Sequence, residues 1–153
     1  WTGRFIETGN PQFEGKGNPF KEGDVLFNKL RPYLAKAFIA EGSGFSVGEL
    51  LVFTPITELI SSKFLFQRLM TTEFVDIVNS STYGAKMPRA SWTFIGNLKI
   101  ALPPIKEQQQ IIEHIKTETK IIDTAIAKAE REIELIKEYK EAMISEAVMG
   151  KRK

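Results

Sequence analysis

Lys86 and Arg89 stand in a polar stretch, SSTYGAKMPRAS, that contains no acid. A lysine and an arginine in such a loop supply donors for phosphate oxygens or base edges. Thr82, Tyr83 and Ser91 add hydroxyls, and Gly84 lets the backbone come close to another surface. The stretch belongs to an acid-free window between Asp76 and Glu107 that also holds Lys99 and Lys106. A second such window, between Asp24 and Glu41, holds Lys29, Arg31 and Lys36, with Asn28, Lys29 and Arg31 at a corner before Pro32. The net charge of +2 is small; a phosphate backbone responds to local potential. The same spacing also fits a few lysines on a solvated surface. Arg31 suits a buried ion pair that fixes the turn as well as it suits a nucleic-acid contact, and Tyr83 equally suits a half-buried core position. Trp92 reads as core.

No catalytic constellation assembles beside these donors. GNPF at Gly17–Phe20 lacks the second proline of an adenine-methyltransferase motif, and no glycine-rich strand–turn–helix accompanies it. GKGNP lacks the Gly-Lys-Ser/Thr ending of a phosphate loop. His114 is the single histidine and there is no cysteine, so no imidazole–thiolate metal set exists. Glu22 and Asp24 show no division into acid and base. The reading is therefore no catalytic residue and no metal. No apolar run reaches the roughly 18–20 residues that span a bilayer, and the first residues lack a signal-peptide pattern. Together with the absence of cysteine, this gives the expectation of a cytoplasmic protein with no membrane partner.

The elements that must carry the donors divide at Pro103–Pro104. Before it lie most of the glycines, prolines and aromatics; after it no proline occurs, and no glycine until Gly150. Residues 1–103 read as a mixed α+β domain. Arg4–Glu7 fits a strand and Thr8–Gly23 a loop. Asp24–Asn28 and Tyr33–Ala40 fit strands around an Arg31–Pro32 corner. Phe45–Thr54 fits one strand with a bulge at Gly48. Ser61 or Ser62 caps one helix through about Val78, with Leu65, Leu69 and Ile77 on one face. Ser80–Arg89 is loop, and Leu98–Leu102 a last strand.

Residues 104–150 read as one helix, with prolines suited to its first positions and Gly150 to its C-terminal cap. Its length, on the order of 65 Å at 1.5 Å per residue, is too great for a core helix of so small a domain. Ile112, Thr119, Ile126, Ile133, Lys140 and Ala147 recur every seven residues, and Ile115, Ile122, Ala129, Ile136 and Met143 recur offset by three. That is the a/d seam of a coiled coil, with polar a positions that fix register at some cost in stability.

Three stretches carry a family resemblance. They are GDVLFNKLRPYLAKAFIA with FSVGELLVFTP, then TYGAKMPRASWTFIGNLKIALPP, then Ile105–Lys151 with EQQQII and IELIKEYKEAMISEAVMGK. Together they resemble the target-recognition domain and following conserved helix of a type I restriction–modification specificity subunit, over about Gly23 to Lys151. The resemblance implies sequence-specific recognition of double-stranded DNA and a long helix in an antiparallel coiled coil. It also implies docking of methyltransferase and restriction subunits. S-adenosylmethionine, ATP and magnesium are expected on those partners and no cofactor on this chain. Only one recognition domain and one helix are present, and the domain looks short at its N-terminal end. The expectation is therefore a half-subunit or fragment that forms a homodimer through the helix or pairs with the other half of a specificity subunit. Two other readings stay open: an interaction protein acting through its coiled coil, and the specificity region of a fused restriction–methylation enzyme. Lys86, Arg89, Tyr83, Thr82, Arg31, Lys29 and Asn28 are the candidate DNA contacts; Ile112, Ile115, Ile122, Ile126, Ala129, Ile133, Ile136 and Met143 are the candidate helix interface.

Overall fold

The apolar run Val25–Phe27 has room to be central only if both its edges are paired, and they are. In a computed structural model that describes residues 17–150, strand β2 (Val25–Asn28) lies between β3 (Ala37–Ile39) and β5 (Leu50–Phe53), antiparallel to both. Val25, Leu26 and Phe27 are fully buried. Their continuous apolar character, rather than an alternating pattern, follows from burial on both faces. A separate two-stranded sheet pairs β1 (Asn18–Phe20) with β4 (Gly44–Ser46).

Helices α1 (Ser62–Met70) and α2 (Thr72–Ser80) supply Phe64, Leu65, Leu69, Phe74 and Val78 to the core around Val25 and Phe27. The Phe27 and Phe74 rings meet edge to face, centroids 5.6 Å apart, the arrangement that ring quadrupoles favour. Helix α3 is a single turn over Trp92–Ile95, and α4 runs from Ile105 to Val148.

Several expected elements are corrected. Thr8–Gly23 is not all loop, since β1 lies within it, while Arg4–Glu7 falls outside the described residues. Tyr33–Ala40 opens with a 3-10 turn, Pro32–Leu34, and only its end is strand. Phe45–Thr54 is two strands of two different sheets, separated by a turn closed by Leu50 N–H to the Val47 carbonyl at 3.0 Å. The Ser61–Val78 helix is two helices: Ser61 caps α1 by accepting from Phe64 N–H, and Thr71, extended at φ −64° and ψ 142°, ends α1 and caps α2. The break turns Ile77 outward and Val78 inward. Leu98–Leu102 joins no sheet among the described residues. The prolines lie just outside α4: the Pro104 carbonyl accepts from Gln108 N–H at 3.0 Å, which makes it the cap residue. Gly150, at φ +67°, closes the far end.

The chain forms two compact units, the first ending at Ile112 and the second beginning at Glu113. The opening turns of α4 thus belong to the first unit, where Gln108 is fully buried and Ile111 and Ile112 pack on the core. Among the described residues no helix is long and apolar enough to cross a membrane.

Candidate functional site

The two basic windows meet at the end of β2. Asn28 leaves the sheet with its N–H donating to the Lys36 carbonyl at 2.9 Å, and its side-chain oxygen accepts from Leu30 N–H at 2.9 Å. That second bond is an Asx-type turn, and it uses the oxygen while leaving the amide nitrogen as a donor. Arg31 then adopts a left-handed backbone, φ 52° and ψ 62°. The conformation is costly for a side chain with a Cβ, on the order of 1–2 kcal/mol. It is held by the bond from Arg31 N–H to the Pro88 carbonyl at 2.7 Å. Pro32 follows with its φ already fixed.

The loop carrying Lys86 folds onto this corner as a small ladder. Tyr83 and Arg89 exchange N–H to carbonyl bonds of 3.1 and 3.0 Å, Arg89 also bridges to Leu30, and Ala90 N–H donates to the Lys29 carbonyl at 2.9 Å. Gly84 makes the hairpin possible with φ +91°, a region that side chains rarely adopt. Lys86 lies at the exposed tip and Tyr83 is also exposed. Thr82 plays a local part: its hydroxyl donates to the Asn79 carbonyl at 2.8 Å and finishes the end of α2.

Asn28, Lys29, Arg31, Tyr83 and Arg89 are therefore gathered in one region, with Lys86 on the adjoining loop tip. Glu49 joins them. Its backbone carbonyl accepts from Lys29 N–H at 3.0 Å, and its Oε1 accepts from Arg89 Nε at 2.9 Å. The ion pair considered for Arg31 is thus found at Arg89, whereas the Arg31 Nε is buried without a hydrogen bond. Sequence reasoning passed over Glu49. The signal was present: it is the single charge between Glu41 and Glu58, in an otherwise apolar and small-residue run.

Trp92, expected in the core, is 55% exposed. It opens a helix of one turn, and its ring meets Phe53 edge-on at 5.7 Å and lies against Gly96. Among the described residues no group of three or more His, Cys, Asp or Glu side chains converges as a metal site. Buried Asp24 closes a turn, its Oδ2 accepting from Lys21 N–H at 2.9 Å.

Along α4, Ile122, Ile126, Ala129, Ile133, Ile136 and Met143 are exposed. Ile112 is covered by the domain core and Ile115 is half-buried. Thr119, a polar residue at an a position, donates its hydroxyl to the Ile115 carbonyl at 2.7 Å. It therefore places no unpaired donor on the apolar stripe.

A small α+β domain with a surface basic corner, followed by a helix with an exposed apolar stripe, is the architecture of a module with two surfaces suited to binding. The comparisons give that class a family. A profile described as "Type I restriction modification DNA specificity domain" matches residues 6–135, and the chain belongs to this family. The type I restriction enzyme EcoDI specificity subunit of Escherichia coli is 23% identical over 131 residues, covering 86% of this chain and 29% of that one. The chain thus spans under a third of that relative's length. The crystal structure of the HsdS subunit from Thermoanaerobacter tengcongensis shares the fold at a TM-score of 0.62 and 22% identity, over 69% of this chain and 28% of the other. A chain from a structure of complex assembly and conformational transition in the type I R-M system is similar at a TM-score of 0.63 and 23% identity, over 77% of this chain and 32% of that one.

Proposed function

We propose that this chain is a sequence-reading module of a type I restriction–modification specificity subunit, non-catalytic itself, that binds double-stranded DNA. In this reading it directs methyltransferase and restriction subunits to the site it recognises. The observation that carries the proposal is the backbone-bonded corner of Asn28–Arg31 and Tyr83–Arg89, built from two acid-free windows in a chain of the specificity-domain family. Lys86, at the loop tip, supplies a mobile point charge for phosphate. Arg31 and Arg89, on pinned backbones, supply forked donors suited to base edges. Chemistry belongs to the partner subunits, which carry S-adenosylmethionine, ATP and magnesium, while this chain binds no cofactor. Its place is the prokaryotic cytoplasm.

The helix serves as handle and spacer. Its exposed stripe pairs antiparallel with the same stripe of a second copy, or with the matching helix of another half of a specificity subunit. Such pairing sets the separation between two reading domains by the length of the seam.

The test is duplex-DNA binding by the full chain across a salt series. Lys86→Ala combined with Arg89→Ala is expected to weaken binding to a mixed-sequence duplex and to lower the salt slope by about one unit for each phosphate contact removed. An unchanged affinity and slope would remove this surface from the proposal.

A further inference from the structure

An acid inside a basic corner opposes phosphate binding, so Glu49 calls for a physical account. Its carboxylate Oε1 lies 2.9 Å from Arg89 Nε, with the two side chains 33% and 36% exposed. Exposed ion pairs between free side chains contribute little, because both partners must give up rotamer freedom. Here the two backbones are held side by side, which brings the side chains within reach of one another: Glu49 by the bond from Lys29 N–H, and Arg89 by its paired bonds with Tyr83 on one side and the bridge to Leu30 on the other.

The geometry selects which edge of the guanidinium is spoken for. Arginine presents five donors in a rigid planar fork, and Glu49 engages the Nε side. Nη1 makes only a long contact, 3.5 Å, to the Met87 carbonyl. The end-on pair, Nη1 and Nη2, is the edge that grips guanine O6 and N7 or a phosphate in a bidentate manner. A carboxylate anchored at Nε holds the plane of that fork and cancels part of its attraction for phosphate. The first effect favours discrimination between bases; the second lowers affinity that ignores sequence.

We propose that Glu49 is a positioning residue for Arg89, fixing its fork for base reading and restraining its binding to the phosphate backbone. The proposal rests on the DNA-recognition reading above. It assigns Arg89 to sequence discrimination and leaves general affinity chiefly to Lys86.

The experiment compares the full chain with E49Q, R89A and the double variant in two measurements. One is a salt series on a mixed-sequence duplex; the other is selection from a pool of randomised duplexes. Glutamine keeps the length and an acceptor oxygen while removing the charge, so the fold survives, which thermal melting checks. E49Q is expected to bind the mixed-sequence duplex more tightly at low salt. Its salt slope should steepen by about one unit, equivalent to about a fourfold greater loss of affinity over a fourfold rise in salt. The selected sequence should become less sharply defined, and both effects should vanish in the R89A background.

A purely structural ion pair would instead give E49Q a lower melting temperature and a parallel loss of affinity for every duplex. That outcome overturns the proposal, as does an unchanged slope and selection. If R89A changes binding while E49Q does not, the positioning role alone fails. If neither R89A nor the loss of Lys86 changes binding, the DNA reading of this surface fails first.

Discussion

Gln108 is an uncharged polar residue with no exposed surface, and it explains more of the fold than any of the charges. Its Oε1 accepts from Ser61 N–H at 3.0 Å, and its Nε2 donates to the carbonyls of Leu59 and Pro103 at 2.8 and 2.9 Å. One side chain thus bonds the cap of α1, the loop before it and the segment leading into α4. The LPP and EQ parts of the sequence motif have a common physical reason here. Pro103 and Pro104 offer carbonyls, and Gln108 uses one through its side chain and the other through its backbone. Replacing it by leucine keeps the volume and leaves a part-buried N–H and two carbonyls without this partner, each costing at most about 1–3 kcal/mol. Relaxation and water reduce the sum. We expect Gln108→Leu to lower unfolding stability by about 2–4 kcal/mol, read as a shift of the urea midpoint. Gln108→Glu should be no better, since it retains the acceptor for Ser61 but sets a carboxylate against two carbonyl oxygens. A midpoint unmoved by both changes would mean that the amide does not hold the junction.

Elements were legible where pattern and partner agree. β2 was visible because a central strand buried on both faces is apolar at every position, and α4 because its period and its flanking proline and glycine point the same way. The failures share a cause: the apolar pattern continues across a local break. From Ser61 to Val78 one helical period runs through Thr71, and only the backbone of that residue, extended and not helical, parts α1 from α2. Its hydroxyl is the device, accepting from Phe74 N–H at 3.3 Å and donating to the Arg68 carbonyl at 2.9 Å. Thr71→Ala is expected to cost about 1 kcal/mol, the usual worth of a cap. Thr71→Ser should recover most of it in the same melt, and equal stability of all three proteins would contradict the capping role. In the same way Phe45–Thr54 keeps strand character across the Val47–Glu49 turn, though its halves join different sheets. Leu98–Leu102 has the propensity but pairs with no strand among the described residues, and strand propensity is largely a statement about neighbours. The candidate site was legible as two basic windows. That they are one corner was not, because the bonds joining Lys29 to Ala90 and Arg31 to Pro88 cross some sixty residues of sequence. Glu49 was visible as a lone charge, but its pairing with Arg89, 40 residues on, was not, for the same reason.

At the scale of the whole molecule, the unresolved demand is the apolar stripe of α4. Ile122, Ile126, Ile133 and Ile136 are each half exposed or more. Full burial of such a side chain contributes about 1.5–3 kcal/mol, so pairing the stripe offers several kcal/mol against the entropy of association. The polar a positions are compatible with this: Thr119 is satisfied on its own helix, and Lys140 can extend its charge past the seam. We expect the full chain to self-associate at micromolar concentration in sedimentation experiments. Ile126→Asp with Ile133→Asp should leave a monomer whose first unit melts unchanged, because neither residue belongs to it. The DNA consequence separates handle from reader. If two paired chains place two basic corners on one duplex, the second contact is intramolecular and avidity multiplies affinity by about 10²–10⁴. The monomeric variant should then lose at least about a hundredfold in affinity for a duplex long enough for both domains. On a duplex that admits only one domain it should bind as the parent does. Equal loss on both duplexes would mean that the stripe supports the reading surface itself rather than joining two of them.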